Sequence, residues 1–113
     1  MPYDAQFSSG NPLMVDHTPS GAAVPAGAVV VTNDTPRVCH RDIADGALGA
    51  LAAEGGVYLM TGDGIIAADK RVYWDSTNKK ITLTASTFKI FGVTVTACAG
   101  NNATCLVRHD PSA

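Results

Sequence analysis

Thiolate and imidazole are the usual ligands of structural zinc, so Cys39, His40, Cys98, Cys105 and His109 are the first residues to weigh for chemistry. Only Cys39 and His40 are neighbours in sequence, and neighbours on a strand point to opposite faces. The absence of any CxxC spacing argues against a zinc knuckle or a thioredoxin-type site. Buried thiols and surface imidazoles account for these residues more simply, so no metal and no cofactor is expected.

Catalytic patterns are equally sparse. Gly62-Asp63-Gly64 has neither the lysine of a P-loop nor the spaced acids of an EF-hand, and reads as a plain turn. GxSxG does not occur. Asp42 and Asp45 stand three apart at a corner, where capping a turn suits them better than acid–base work. Lys79 and Lys80 follow a polar run and read as a solvated hairpin tip. Tyr73 and Trp74 suggest a stacking platform, but adjacent strand residues face opposite ways and at most one could serve. Trp74 is therefore assigned to packing. The expectation is a non-enzymatic structural or binding protein.

The element that must carry Tyr73, Trp74, Lys79 and Lys80 is Arg71 to Thr84. Val72, Tyr73 and Trp74 favour a strand, Asp75 to Asn78 is a turn-rich polar run, and Ile81 and Leu83 alternate with Thr82 and Thr84. A β-hairpin is expected. Upstream, Val24-Pro25-Ala26-Gly27, Ile43-Ala44-Asp45-Gly46 and Ile66-Ala67-Ala68-Asp69 share one form: an apolar residue, two small or turn-compatible residues, then Gly or Asp. Gly and Asp tolerate the backbone of a tight corner, so three corners feeding three strands are expected.

Ala44 to Glu54 is rich in Ala and Leu, yet Gly46 and Gly49 weaken a helix there. It reads as strand, with a single helical turn open. Val57 to Met60 is expected as a further strand closed by a turn at Thr61 to Gly64. Phe91, Val93, Val95 and Ala97 share one parity and Phe88 and Ile90 the other, which predicts a bulge beside Gly92. Gly100-Asn101-Asn102-Ala103 signals a hairpin turn, with Thr104 to His109 as the last strand. If the turn centres on Asn101-Asn102, Cys98 lies opposite Cys105 and the two could approach disulfide distance, though as a hydrogen-bonded pair, where the spacing is less favourable for a bridge.

The first 25 residues hold four of the six prolines, and Lys and Arg are absent before Arg37. Tyr3, Phe7, Leu13 and Val15 are isolated apolar anchors in this lead-in. Two readings stay open: an extended arm over 1–20 ordered by a partner, or an edge strand on its own domain. Residues 21–113 make the remaining domain. Charge is −2 in total, without the clustered positive surface of a nucleic-acid binder. No signal peptide is recognised and no apolar run reaches membrane-spanning length, so a soluble, unexported chain with no membrane or direct nucleic-acid partner is expected. Eleven glycines beside only three Phe, three Tyr and one Trp imply a thin core of small side chains.

Met14 to Gly21, Ala22 to Val31 with its Pro-Ala-Gly corner, Arg41 to Gly49, Leu51 to Gly55, Val72-Tyr73-Trp74-Asp75 and Asn78-Lys79-Lys80 follow one another in a familiar order. From about Phe7 to Arg108 the chain resembles the capsid cement, or head-decoration, proteins of tailed bacteriophages. The resemblance implies an all-β domain with little or no helix, a small barrel or bent ribbon of the β-clip or tulip type with an extended N-terminal arm. It also implies a homotrimer that binds the major capsid protein at threefold-type positions on the outer surface of the virion and stabilises the filled head. Tyr3, Phe7, Leu13 and Val15 are the expected contacts with shell or neighbouring subunit. The alternative is a small β-barrel binding module, for example for carbohydrate, with an exposed aromatic.

Overall fold

The computed structural model describes residues 3–113. Its axis is one strand, β4 (Gly49–Ile66), of 18 residues. At the rise of a β-strand this segment would span about 60 Å if straight, whereas the longest dimension of the molecule is 39 Å. The strand therefore bends. Gly55 adopts φ 94 where β4 passes β1 (Ala5–His17), and Gly10, paired with Gly56, adopts φ 96. A Cβ on Gly10 would stand 2.7 Å from the Gly55 carbonyl oxygen, so the close passage requires glycine.

The first half of β4 lies in a four-stranded antiparallel sheet. β1 pairs with one edge, β3 (Thr35–Cys39) with the other, and β2 (Val29–Thr32) lies outside β3. The second half enters a closed five-stranded barrel. There β4 pairs with β8 (Cys98–His109), β8 with β7 (Lys89–Thr94), β7 with β5 (Arg71–Asp75) and β5 with β6 (Lys80–Thr82). A single parallel pair, Gly62 with Ile81, returns β6 to β4 and closes the ring. The all-β expectation holds, and no helix occurs among the described residues.

The three corners are real and share one backbone device. Gly27, Gly46 and Asp69, each fourth in its motif, have φ of 85, 79 and 60. In the first two the turn closes on itself, Ala28 N–H donating to Pro25 O and Ala47 N–H to Ala44 O. In the third, the buried Thr94 hydroxyl takes over: it donates to Ala67 O at 2.7 Å and accepts from Lys70 N–H at 2.9 Å. The first two corners also pair with each other through Val24 and Ile43.

The hairpin over Arg71 to Thr84 is present. Its turn is organised by Asp75, whose Oδ1 accepts from the backbone N–H of Thr77 and Asn78 and whose Oδ2 accepts from the Asn78 amide. Burial raises the Asp75 pKa, but these hydrogen bonds and the nearby Lys80 outweigh it and hold the carboxyl below its ordinary value. The returning strand stops at Thr82, which is buried, and Leu83 lies exposed beyond it, so the expected Ile81–Leu83 face is not formed. The bulge beside Gly92 is found: Val72 pairs with Gly92 but Tyr73 with Ile90, leaving Phe91 extra. Past it, Thr94 turns inward while Val93 is half-buried and Val95 is exposed, the reverse of the expected parity.

Two expected turns are strand instead. Thr61 to Gly64 continues β4, because β8 pairs with Thr61, Asp63 and Gly64 and β6 with Gly62. Asn101 and Asn102 do not turn the chain. β8 runs through from Cys98 to His109, and Asn102, at φ 68, belongs to a bulge in which Asn102 and Ala103 oppose Gly62 alone. A pair the sequence reading passed over, Asn33-Asp34, makes the tight β2–β3 hairpin with Asn33 at φ 56.

The main core contains Met60, Ile66, Val72, Trp74, Ile81, Phe91, Cys98, Cys105 and Val107 of the barrel strands and continues through Tyr58 to Ala5, Val29, Val38 and Ala52 of the sheet. A second cluster, Cys39, Ile43 and Leu51, lies in the sheet extension with Val15, Val24, Ala28 and Val30 against it. His109 joins the two parts. Its ring stacks on Phe91 at 4.6 Å, and its Nε2–H donates to Pro36 O of β3 at 2.7 Å. Burial pushes the His109 pKa below its ordinary value against the pull of the Pro36 carbonyl and Asp110.

Two outcomes follow from this packing. Gly92→Ala drives a Cβ into the Arg108 carbonyl oxygen and is expected to cost about 1–3 kcal/mol or more by overpacking. Urea unfolding checks this, and an unchanged midpoint contradicts it. Below the ordinary imidazole value the unfolded chain protonates His109 while the folded chain resists, so stability falls as pH drops. Urea midpoints compared at about pH 7.5 and about pH 5.5 should show this loss, and His109→Gln should reduce it; an equal loss in the variant contradicts the assignment.

Candidate functional site

The residues singled out for metal chemistry do not converge. Cys39 lies in the sheet extension and donates its thiol to Arg41 O at 2.9 Å. Cys98 and Cys105 lie inside the barrel. His40 Nε2 is 2.7 Å from the Tyr58 hydroxyl, and His109 is bonded to Pro36. The corner carboxylates are engaged as backbone acceptors. Asp42 Oδ1 accepts from Ala26 N–H of the first corner at 2.8 Å, and Asp45 Oδ1, in the second corner, from Gly21 N–H of the segment that leads into the first at 2.9 Å. Trp74 is 2 % exposed, which leaves it no face for a ligand, and Tyr73 is half-buried.

What the surface does present is apolar side chain around two neighbouring grooves. One, of about 440 Å³, is lined by Met14, Ile43, Leu48 and Ala50 with His40 and Arg41. The other, of about 380 Å³, is lined by Tyr3, Phe7, Gly27 and Cys39, again with His40 and Arg41. The shared pair stands between them at the end of β3.

Local structure sets each wall. The Tyr3 ring lies over Gly27, where any Cβ would strike it, so the corner glycine is needed for space as well as for φ. Phe7 packs on His40 at 4.9 Å and edge-on to Tyr58 at 5.7 Å. Burial lowers the His40 pKa and raises that of Tyr58. The pair is therefore neutral near pH 7 and adds hydrogen-bonding capacity without charge. Gly49 makes room for Ile43, whose side chain a Cβ would meet at 2.6 Å.

The four expected contact residues take different places. Tyr3 and Phe7, each 44 % exposed, line the second groove together. Leu13 is 57 % exposed on β1, opposite Glu54. Val15 is half-buried against the second cluster, paired with Leu51. β1 itself is hydrogen-bonded along β4 from Ala5 to His17.

Sequence reading passed over Leu48 and Ile65, exposed by 72 % and 80 %. Both left a signal. Leu48 follows the Gly46 corner before the strand register begins, and Ile65-Ile66 are consecutive on a strand, so one of them had to face outward.

Exposed apolar side chains gathered around a pair of grooves are the kind of relief that marks an interaction surface. A family model described as phage cement protein matches residues 8–109. Neither the curated proteins nor the solved structures searched gave a match. With nearly all of its length matched, the chain belongs to the phage cement protein family.

Proposed function

We propose that this protein is a non-enzymatic decoration protein that binds the outer surface of a bacteriophage capsid at threefold-type positions and stabilises the DNA-filled head. Its partner is the major capsid protein, and its working form is a homotrimer. The observation that carries the reading, beside the family, is the gathering of Tyr3, Phe7, Met14 and Leu48 around the two grooves that share His40 and Arg41.

In this reading Tyr3, Phe7 and Leu13, with the exposed part of Val15, make contact with shell or neighbouring subunit from β1. Residues 1–20 then act as an arm whose backbone is held by β4 and whose side chains remain available. Three copies in a closed ring apply one modest footprint three times, so avidity replaces any single strong contact. A rigid domain seated across a joint between capsomers opposes its opening under the outward pressure of packaged DNA.

Deleting the arm is a poor test, because it would remove much of the β1–β4 ladder. Single exposed side chains are better. Leu13→Ser and Leu48→Ser leave the cores untouched, and each should weaken co-sedimentation with undecorated heads by about tenfold or more, as expected for a leucine buried on docking. Unchanged binding by both variants would remove these contacts from the proposal. Wild-type protein that ignores heads altogether would sink the function.

A further inference from the structure

β8 places two of the three cysteines in an unusual relation. Cys98 and Cys105 are seven residues apart on one strand, which in a regular strand would separate them by about 23 Å and set them on opposite faces. The bulge changes both facts. Because Asn102 and Ala103 together oppose Gly62, the parity resets and both side chains enter the barrel interior. The curl is tight enough that the Cys98 thiol donates to Ala103 O at 3.1 Å, two residues short of Cys105. On the facing strand Gly62 leaves the space that Cys98 Sγ fills, since a Cβ there would collide with it. The two thiols also sense each other: burial first, then the charge of Cys98 and a hydrogen bond to it, push Cys105 up to about 12.

From this bulge geometry we infer that Cys98 and Cys105 are a modification site, a dithiol that closes to an intrachain disulfide when the protein meets a small disulfide oxidant. The step balances without any other reactant. One cysteine thiolate attacks a sulfur of the oxidant and releases a small thiolate; the second then attacks the mixed disulfide at the protein sulfur and releases the other. The protein loses two thiol protons, which pass to the two departing thiolates, and the oxidant is reduced to two thiols. Cys39 is an internal control. It is buried as the others are, but it belongs to the sheet cluster with Ile43 and Leu51, apart from the cluster that holds Cys98 and Cys105. The bridge would pin the bulge against Gly62, whose pairing with Ile81 is the one link between β4 and β6. Reducing cytoplasm keeps such a pair open and an oxidising medium outside the cell favours closure. The inference does not depend on capsid binding.

The test is to incubate the folded full chain with oxidised glutathione, quench with acid, and count free thiols after denaturation in the presence of an alkylating reagent. Non-reducing peptide mapping then locates any bond. The expected result is a fall from three free thiols to one, with Cys98 linked to Cys105 and Cys39 alkylated. Cys98→Ser and Cys105→Ser chains should each keep both remaining thiols under the same treatment. Three free thiols in the treated wild type, a bond to Cys39, or chain-to-chain bonding in place of the internal bridge would overturn the inference.

Discussion

Everything in this molecule depends on β4 keeping β1 or β8 beside it along all 18 residues while bending to fit a 39 Å body. An unpaired backbone group in the interior carries a penalty comparable to a lost hydrogen bond, so a strand this long survives only with neighbours throughout. β1 and β3 serve the first half, β8 and β6 the second. The two halves are therefore one structure, a barrel and a sheet that share a strand. The glycines along β4 are the condition for this. Gly55 takes the bend, Gly56 leaves room for the Tyr58 ring, and Gly62 admits the Cys98 thiol.

Connections outside β4 reinforce the same union. His109 closes β8 onto β3 through Pro36, and the aromatic contacts run from Trp74 through Phe91, His109 and Tyr58 to His40 and Phe7. That run begins in the barrel core and ends at the surface groove. The groove wall is thus packed onto the core, the support that the proposed clamp requires, since an interface on a mobile support would yield before the joint it holds. The carboxylates of Asp42 and Asp45 do for the two corners what the rings do for the core, tying loops that would otherwise move independently.

Much of this was legible in the sequence. The corner motif at Gly27, Gly46 and Asp69 was readable because left-handed φ restricts residue choice, and all three positions have positive φ. The bulge beside Gly92 announced itself as a change of parity. The two misplaced turns share one cause. Thr61 to Gly64 and Gly100 to Ala103 carry turn residues, and local propensity assigns them to turns; strand pairing at long range overrides that preference, and Gly62 serves a close contact with the Cys98 thiol instead. Leu48 and Ile65 were missed for the opposite reason, since apolar residues are assigned to cores by default, and their exposure shows only once the corner and register are known.

In the proposed role the sheet extension, not the barrel wall, is the face that meets the shell. Hydrogen exchange of the protein free and bound to undecorated heads tests this directly. Protection on binding should appear at Tyr3 to Phe7, around Met14 and from His40 to Ala50, with the barrel strands unchanged from their free state. Protection confined to the outer barrel around Ile65, Leu83 and Val95, with those grooves exchanging as in the free protein, would contradict it.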